Sequence, residues 1–351
     1  MLYRCFLSYS IFAFIFSFFI FPLFSDNLPV KNNPVILMVE TMPVPAVTGH
    51  LNSCKAALRE LGYIDGKNAQ IEVLQAEGDL SRAERLMREY SAEEMPDVVI
   101  TFATLATKAA KTVFAGTNVP IVFSVVADPV GAGIVKKIDS PTGTHITGLV
   151  YTISRKTKLE TVLRCLSHSQ RDKGITFGVI HSIYPSAEGD YNKLSVLSRN
   201  YPKINFVEYS IPYSSVPEGL PDMLEKIPAG IDVLENAIDY WWEPTGPLAE
   251  VAAYHQSIRE ESEKPIAVAQ TRQSVKNGAL LSILPDWQKG GTETAALAHR
   301  ILKGEYPGDI PVSIPSTFTM AINLDTAIRI NAVIHPHFME MAAGNIYREK
   351  Y

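Results

Sequence analysis

The residues best suited to chemistry stand where predicted strands give way to helices. Thr104 follows an apolar run at 98–102 and opens an Ala-rich helix together with Leu105. Its hydroxyl and the first backbone N–H groups of that helix would receive a ligand carboxylate, or Thr104 would only cap the helix. Asp128 ends the next predicted strand, where it would pair with a ligand amine or cap the following helix. Both positions suit a small polar or zwitterionic ligand.

A second set of polar and aromatic residues follows strands further along the chain. A polar loop covers 182–190, a stretch with adjacent tryptophans covers 236–242, and a short polar segment begins at residue 270. We expect at least one of these tryptophans to be buried or to face a cleft, and the arginine to bind a carboxylate or lie in solvent. The candidate ligand-binding residues of this set are Ser182, Ser186, Asn236, Asp239, Tyr240, Trp241, Thr271 and Arg272.

The sequence lacks the short motifs that carry catalysis or bind phosphates and metals. It contains no G-x-S-x-G, G-x-x-x-x-G-K-[ST], H-E-x-x-H or C-x-x-C pattern. His335 and His337 stand close together, and a solvated loop is a better interpretation of them than a metal site. We therefore predict no catalytic residue, no metal and no cofactor. An enzyme that assembles its site from distant residues stays an alternative.

Length and composition fit a globular protein of about two domains. The chain has 351 residues, of which 46% are hydrophobic and 20% charged, and its formal net charge is −5. These values exclude a disordered tail, a collagen-like repeat and a disulfide scaffold, and they argue against nucleic acid as a partner. Cys54 and Cys165 fall in predicted helices, either as buried core residues or, in an exported protein, as a disulfide.

The first 25 residues have the pattern of a secretory signal peptide. Arg4 precedes an apolar stretch at 11–24, and Ser25 stands at the expected cleavage position. We therefore expect cleavage and a periplasmic protein. The alternative is an uncleaved membrane tether, because the run 5–24 has about the length that spans a bilayer.

The rest of the chain alternates strands with helices, a pattern typical of parallel sheets covered on both faces. The alternation restarts near residue 147, which indicates two lobes rather than one long sheet. We predict strands at 34–39, 69–76, 98–102, 120–123, 147–151, 175–181, 205–209, 231–234, 266–269 and 318–323. We predict helices at 50–61, 80–93, 104–114, 131–138, 156–166, 190–199, 216–227, 248–261 and 288–303.

The predicted fold class is α/β, with two doubly wound parallel-sheet lobes joined by a hinge. Residues 26–147 form the N-terminal lobe, residues 148–284 the C-terminal lobe, and residues 285–351 return to complete the lobes and form a tail. The segments 143–148 and 280–285 suit crossings between the lobes. Parallel sheets bind ligands beyond the carboxyl ends of their strands, so two facing lobes create a cleft that closes on a ligand.

Several segments resemble the ABC-importer substrate-binding protein family that includes tryptophan- and tyrosine-binding lipoproteins. They keep the family's order over residues 34–330. The matching segments are LRELGYIDGKN at 58–68, PDVV at 96–99, VPIVF at 119–123, DPVGAG at 128–133, ITG at 146–148, SVKNGAL at 274–280 and ILKGEYP at 301–307. The resemblance implies a type I periplasmic-binding fold with a ligand held between the lobes.

The resemblance carries over unevenly to individual residues. Thr104 matches the threonine of the family's Gly-Thr-Pro loop, with Ala103 and Leu105 in place of the glycine and proline. Asp128 matches the aspartate of a Ser-Asp-Pro turn, and Asp239 stands at the aspartate of a Thr-Asp-Asn turn. The chain also lacks the family's lipid-attachment cysteine. The ligand loops that depart from the family contain Ser186, Tyr240, Trp241, Thr271 and Arg272.

These observations predict an exported, monomeric solute-binding protein. It would capture a small polar or zwitterionic ligand, an aromatic amino acid or an analogue, and deliver it to an ABC permease in the inner membrane. Asp239 would accept a hydrogen bond from the ligand amine. On the opposite lobe, Thr104 and the start of its helix would bind the ligand carboxylate. The alternatives are a periplasmic ligand-sensing module of a signalling system and an extracytoplasmic α/β enzyme.

Overall fold

The computed structural model describes residues 32–315 and 317–348. The predicted signal peptide at 1–25 lies outside the described residues. The first lobe is built on a parallel sheet with the strand order β2-β1-β3-β4-β5. Every residue of β1, β3, β4 and β5 is buried, as expected for strands covered on both faces. The strands are β1 Val35–Glu40, β2 Gln70–Gln75, β3 Val98–Phe102, β4 Ile121–Val126 and β5 Ile146–Val150.

Four helices cover this sheet. Helices α2 and α3 pack together on one face, and α1 packs with α11 on the other. A Cβ atom at Gly291 of α11 would lie 2.7 Å from the His50 carbonyl oxygen of α1, so glycine is what allows these two helices to approach closely. The helices are α1 Pro45–Glu60, α2 Leu80–Glu93, α3 Thr104–Val113 and α11 Trp287–Leu302.

The second lobe contains a seven-stranded sheet with the order β12-β11-β10-β9-β8-β6-β7. Its strands pair in parallel except that β10 and β11 are antiparallel, which reverses the edge of the sheet formed by β11 and β12. The strands are β6 Ile175–Ser182, β7 Ile204–Ile211, β8 Tyr240–Trp242, β9 Ile266–Val268, β10 Leu281–Pro285, β11 Phe318–Asn323 and β12 Ile346–Tyr347.

Helices cover both faces of the second sheet as well. Helices α8 and α9 pack on the face that continues into the core shared with the first lobe, and α4 and α6 pack on the other. The helices of this lobe are α4 Arg155–Cys165, α5 His168–Lys173, α6 Pro185–Ser198, α7 Leu220–Leu224, α8 Ile227–Leu234, α9 Ala252–Glu261, α10 Arg272–Lys276, α12 Leu324–Arg329 and α13 Pro336–Ala342.

The chain passes between the lobes three times. It crosses after β5, returns between β10 and α11, and crosses again in the segment that leads to β11. The returning segment joins the first lobe, where the Thr147 hydroxyl donates to the Ile310 carbonyl at 2.9 Å. The lobe boundary predicted at 147/148 is wrong because it cuts through β5. The α/β fold with two largely parallel-sheet lobes is confirmed.

Two element predictions are wrong for local reasons. Residues 231–234 belong to helix α8, whose buried residues Ile227, Ile231 and Leu234 follow helical spacing. Residues 131–138 form turns instead of a helix, because the Asp128 carboxylate accepts the Gly131 N–H at 2.9 Å and closes a tight turn there.

The two described cysteines lie in different lobes, Cys54 in α1 and Cys165 at the end of α4. Both are free and buried, so they are core residues and the disulfide alternative is wrong. Within the part of the chain that the structure describes, no helix has the length and apolar content needed to cross a bilayer.

Candidate ligand-binding pocket between the lobes

A pocket lies between the lobes, at the carboxyl ends of strands from both sheets. This is the position at which open parallel sheets bind ligands. The first lobe contributes residues that follow β1, β3, β4 and β5, and the second contributes residues that follow β6 and β8. The lining residues are Met42, Val44, Ala46, Val47, Ala103, Thr104, Val125, Ala127, Tyr151, Tyr184, Ser186, Thr245, Gly246, Pro247 and Glu250.

The start of helix α3 supplies hydrogen-bond donors to this pocket. Ala103 precedes the helix and offers no side-chain cap, so the first amides of α3 lack the usual side-chain acceptor. One amide further along, that of Ala106, donates to the Thr41 hydroxyl at 3.0 Å. The Thr104 side chain lines the pocket beside these amides. An uncapped helix start attracts an anionic group.

The pocket is lined by Tyr151 of the first lobe and Tyr184 of the second, and neither buried hydroxyl has a partner within hydrogen-bond geometry. Burial raises the pKa of Tyr151 well above its ordinary value, the Glu250 charge adds to this, and the nearby Trp287 indole acts against it. Burial also raises the pKa of Tyr184, with the Leu105 amide of the other lobe acting against it. Both phenols are neutral, and each keeps a hydroxyl hydrogen that it can donate to a ligand.

Glu250 places a carboxylate in the wall of the second lobe. Its Oε1 accepts the Gln270 side-chain amide at 3.0 Å, whereas the buried Oε2 has no partner. Burial raises the pKa of Glu250 to about 7, the Gln270 hydrogen bond and the Lys158 charge oppose this, and the Glu243 charge adds to it. A buried carboxylate with one free oxygen is a site for a cationic hydrogen-bond donor.

A buried polar network holds Glu250 from behind. Glu243 accepts the Gln270 backbone N–H at 2.8 Å and contacts His255 Nδ1 at 2.9 Å. These contacts fix the position of Gln270, whose side-chain amide is bonded to Glu250. Beside it, the Thr245 N–H donates to Asp190 at 2.8 Å. These bonds make the second-lobe wall a preformed surface.

The two lobes also touch directly outside the pocket. The Lys193 ammonium of α6 lies 2.6 Å from the carboxylate of Asp128, which follows β4. Burial by itself raises the pKa of Asp128, but Lys193, the Gly131 N–H and the Arg155 charge together hold it below its ordinary value. On the other side, the Tyr213 hydroxyl donates to the Gly78 carbonyl at 2.9 Å.

Comparison with known proteins identifies the family. The sequence model of the ABC transporter substrate binding protein family matches residues 35–167 and 251–345. The chain belongs to this family. It is an ABC transporter substrate-binding protein, as the sequence predicted.

Two kinds of relative support the family assignment. The tyrosine-binding protein of Clostridioides difficile (strain R20291) is 29% identical over 304 residues, which cover 86% of this chain and 81% of that protein. A Streptococcus pneumonia ABC domain in complex with L-Trp superposes with a TM-score of 0.73 at 21% identity, covering 89% and 99% of the two chains. A conserved domain protein from Vibrio cholerae gives the same TM-score and identity, covering 90% and 99%.

The second-lobe wall of the pocket falls outside the matched segments. Its lining residues all lie between residues 168 and 250, which the family model does not match. The first-lobe wall lies inside the matched region. The family model therefore matches the first-lobe wall of the pocket and not the second-lobe wall. The second-lobe lining residues are Tyr184, Ser186, Thr245, Gly246, Pro247 and Glu250.

Several residues singled out from the sequence lie at or near the pocket. Thr104 and Ser186 line it, and Leu105 follows Thr104 with its amide near the Tyr184 hydroxyl. Ser182 ends β6 as a fully buried residue, and Asp128 pairs with Lys193 beside the pocket instead of lining it. Thr271 caps α10 by accepting the Ser274 N–H at 3.0 Å, and the Arg272 guanidinium lies 5.9 Å from the Trp287 ring centre.

Four predicted positions are wrong because the strand begins later than expected. The strand is β8, at 240–242. Asn236 and Asp239 therefore precede it and lie toward the amino ends of the parallel strands, away from the pocket. The Asp239 carboxylate accepts the Thr176 N–H at 2.8 Å at the start of β6. Tyr240 and Trp241 are buried core residues of β8, which is the packing alternative for the tryptophans.

Most of the residues that line the pocket were not predicted from the sequence. Tyr151 is the last residue of the strand predicted at 147–151 and directly follows β5 in the structure, so its place at a strand end was the available signal. Tyr184 lies in the polar loop 182–190 that the sequence indicated, although it was not named there as a candidate. Glu250 had no such signal, because it fell inside the helix predicted at 248–261. Across residues 32–315 and 317–348, no three His, Cys, Asp or Glu side chains are grouped to hold a metal ion.

Proposed function

We propose that this protein captures an α-amino acid with an aromatic or other apolar side chain in the pocket between its lobes and delivers it to an ABC permease. The observation that carries the proposal is the Oε2 of Glu250, a buried carboxylate oxygen without a hydrogen-bond partner, on a residue that lines an otherwise largely apolar pocket. A ligand ammonium would supply the missing donor. The proposal replaces Asp239 with Glu250 as the acceptor for the ligand amine.

The other groups of the ligand would meet complementary chemistry. Its carboxylate would accept from the first amides of α3 and from the Thr104 hydroxyl. Its side chain would pack among Met42, Val44 and the two tyrosine rings, whose free hydroxyls would bond a polar tip. The L-Trp complex of the pneumococcal domain and the tyrosine-binding relative support this ligand class.

The protein would work outside the cytoplasm as a monomer. Substrate-binding proteins of this family are typically extracytoplasmic. Cleavage after Ser25 would release the chain into the periplasm, and the intact mass of protein recovered from that compartment tests this, since retention of residues 1–25 would contradict it.

Calorimetry with matched ligands tests the proposed function. We expect L-tyrosine or L-tryptophan to bind, and the N-acetyl derivative of the same amino acid to bind much more weakly because it has no ammonium for Glu250. Native mass spectrometry of protein purified without added ligand would show a retained amino acid. Equal binding of the free and acetylated forms, or binding of sugars alone, would contradict the proposal.

A further inference from the structure

Two residues of the first-lobe wall hold backbone conformations that side chains rarely adopt. Ala103 has φ 80° and ψ 166°, a region occupied almost only by glycine. Val125 has φ 55°, which is unusual for a β-branched residue. Both side chains line the pocket. Strain of this kind persists only where the surroundings impose it, so its place in the wall calls for a functional reason.

The surroundings do impose both conformations. The Ala103 N–H donates to the Ser124 carbonyl at 3.0 Å, and its carbonyl accepts the Thr107 N–H at 3.2 Å and the Thr107 hydroxyl at 2.9 Å. Val125 sits in an irregularity of β4, where the pairing with β5 shifts register between Phe123 and Val126. Such irregularities turn a side chain in a new direction. Here the side chain that results lies in the pocket wall.

We propose that Ala103 and Val125 are specificity-determining residues, whose methyl and isopropyl groups narrow the pocket and select ligands with a slim side chain. The assignment rests on the proposed function, that is, on amino-acid binding in this pocket. Glycine would satisfy either backbone conformation without strain, and it would leave the space of these groups to the ligand.

The opposite wall is held in shape by contacts within its own lobe. Gly246 packs so closely that a Cβ atom there would lie 2.6 Å from the Ala187 Cβ, and Thr245 is tied to Asp190. Because this wall is fixed in shape, the sizes of the Ala103 and Val125 side chains on the other side determine how much space the ligand has. A difference of one methyl group in such a pocket changes ligand preference by about 10-fold or more.

The test measures dissociation constants for L-leucine, L-phenylalanine, L-tyrosine and L-tryptophan. We expect Ala103→Gly and Val125→Ala each to shift the ratio of tryptophan to leucine affinity by about 10-fold in favour of tryptophan. Val125→Ala keeps its Cβ atom, so it enlarges the pocket without removing the strain. The matched control is Ala343→Gly, the same substitution at a positive φ of 42° just after α13, far from the pocket.

The outcomes separate the two proposals. A shifted ratio in both pocket variants, with the Ala343→Gly ratio at the wild-type value, supports the assignment. Ratios within twofold of wild type, with all ligands still bound, would overturn it and leave the proposed function standing. Failure of all four amino acids to bind the wild type would overturn the proposed function and this assignment with it.

Discussion

Asp128 of the first lobe and Lys193 of the second form an ion pair of 2.6 Å across the cleft. The Asp128 side chain is 6% exposed and the Lys193 side chain 46% exposed, so solvent screens the pair from one side only. The pair exists only while the lobes are in contact. It therefore favours the arrangement in which the pocket is enclosed, at a strength that salt reduces.

Removing this ion pair should favour separation of the lobes. We expect Lys193→Gln to weaken ligand affinity by about 1 kcal/mol or less, because one partner is exposed. The radius of gyration of the ligand-free protein, measured by X-ray scattering, should increase. Lys203→Gln is the matched control, since Lys203 pairs with Asp172 at 3.3 Å within the second lobe. Equal scattering by all three proteins would show that the pair does not hold the lobes together.

Glu250→Gln should remove most of the binding of an amino acid. The substitution keeps the shape of the side chain but leaves the ligand ammonium without a counter-charge, at a cost of about 2–5 kcal/mol in binding free energy. Calorimetry measures this loss. Glu305→Gln is the control, because Glu305 pairs with Arg300 at the surface. A Glu250→Gln variant with wild-type affinity would contradict the site.

Ligand affinity should fall as the pH falls through about 7. Glu250 has a pKa of about 7 in the ligand-free protein and must be ionised to accept an ammonium, so each bound ligand displaces a proton at lower pH. Below about pH 6 the dissociation constant should rise about 10-fold per pH unit. Titrations between pH 5 and about 8 measure the slope, and Glu250→Gln should flatten it. An equally steep profile in that variant would assign the proton to another group.

The stability of the ligand-free protein should show the opposite dependence on pH. The pKa of Glu250 lies above its ordinary value, so the folded state holds this proton more tightly than the unfolded state. The contribution of Glu250 to stability is therefore present at low pH and is lost as the pH rises through about 7. Above that pH, Glu250→Gln should unfold at a higher denaturant concentration than wild type. A lower midpoint would indicate that the carboxylate has a structural partner.

Asp239→Ala should leave ligand binding unchanged. Asp239 lies at the amino end of β8, away from the pocket, and accepts the Thr176 N–H, so its loss should reduce the free energy of unfolding by about 0.5–1.5 kcal/mol. Thr104→Ala should weaken binding instead, because its hydroxyl lines the pocket. Denaturant unfolding and calorimetry on both variants separate these effects. A loss of affinity in Asp239→Ala would restore it as a ligand residue.

The sequence predicted those parts of the fold that have a local signature. Short runs rich in β-branched residues, such as 98–102, indicate buried strands. Helices such as α2 start at a cap, Asp79, and carry one apolar face. The short strand β8 has no such signature. Its three residues, Tyr240–Trp242, are held in place by pairing with β6 and β9, which are distant in the chain.

By itself, the sequence determined the α/β class, the two lobes, the family resemblance and the place of Thr104 at the start of α3. Only the tertiary structure decided which side chains meet in the pocket. The reason is that residues after the carboxyl end of a strand lie at the pocket, whereas residues before its amino end lie away from it. The position and pairing of the strand decide which residues these are. A shift of a few residues in β8 exchanged Asp239 for Glu250, whose Oε1 is bonded to Gln270, a residue that Glu243 holds through its backbone N–H.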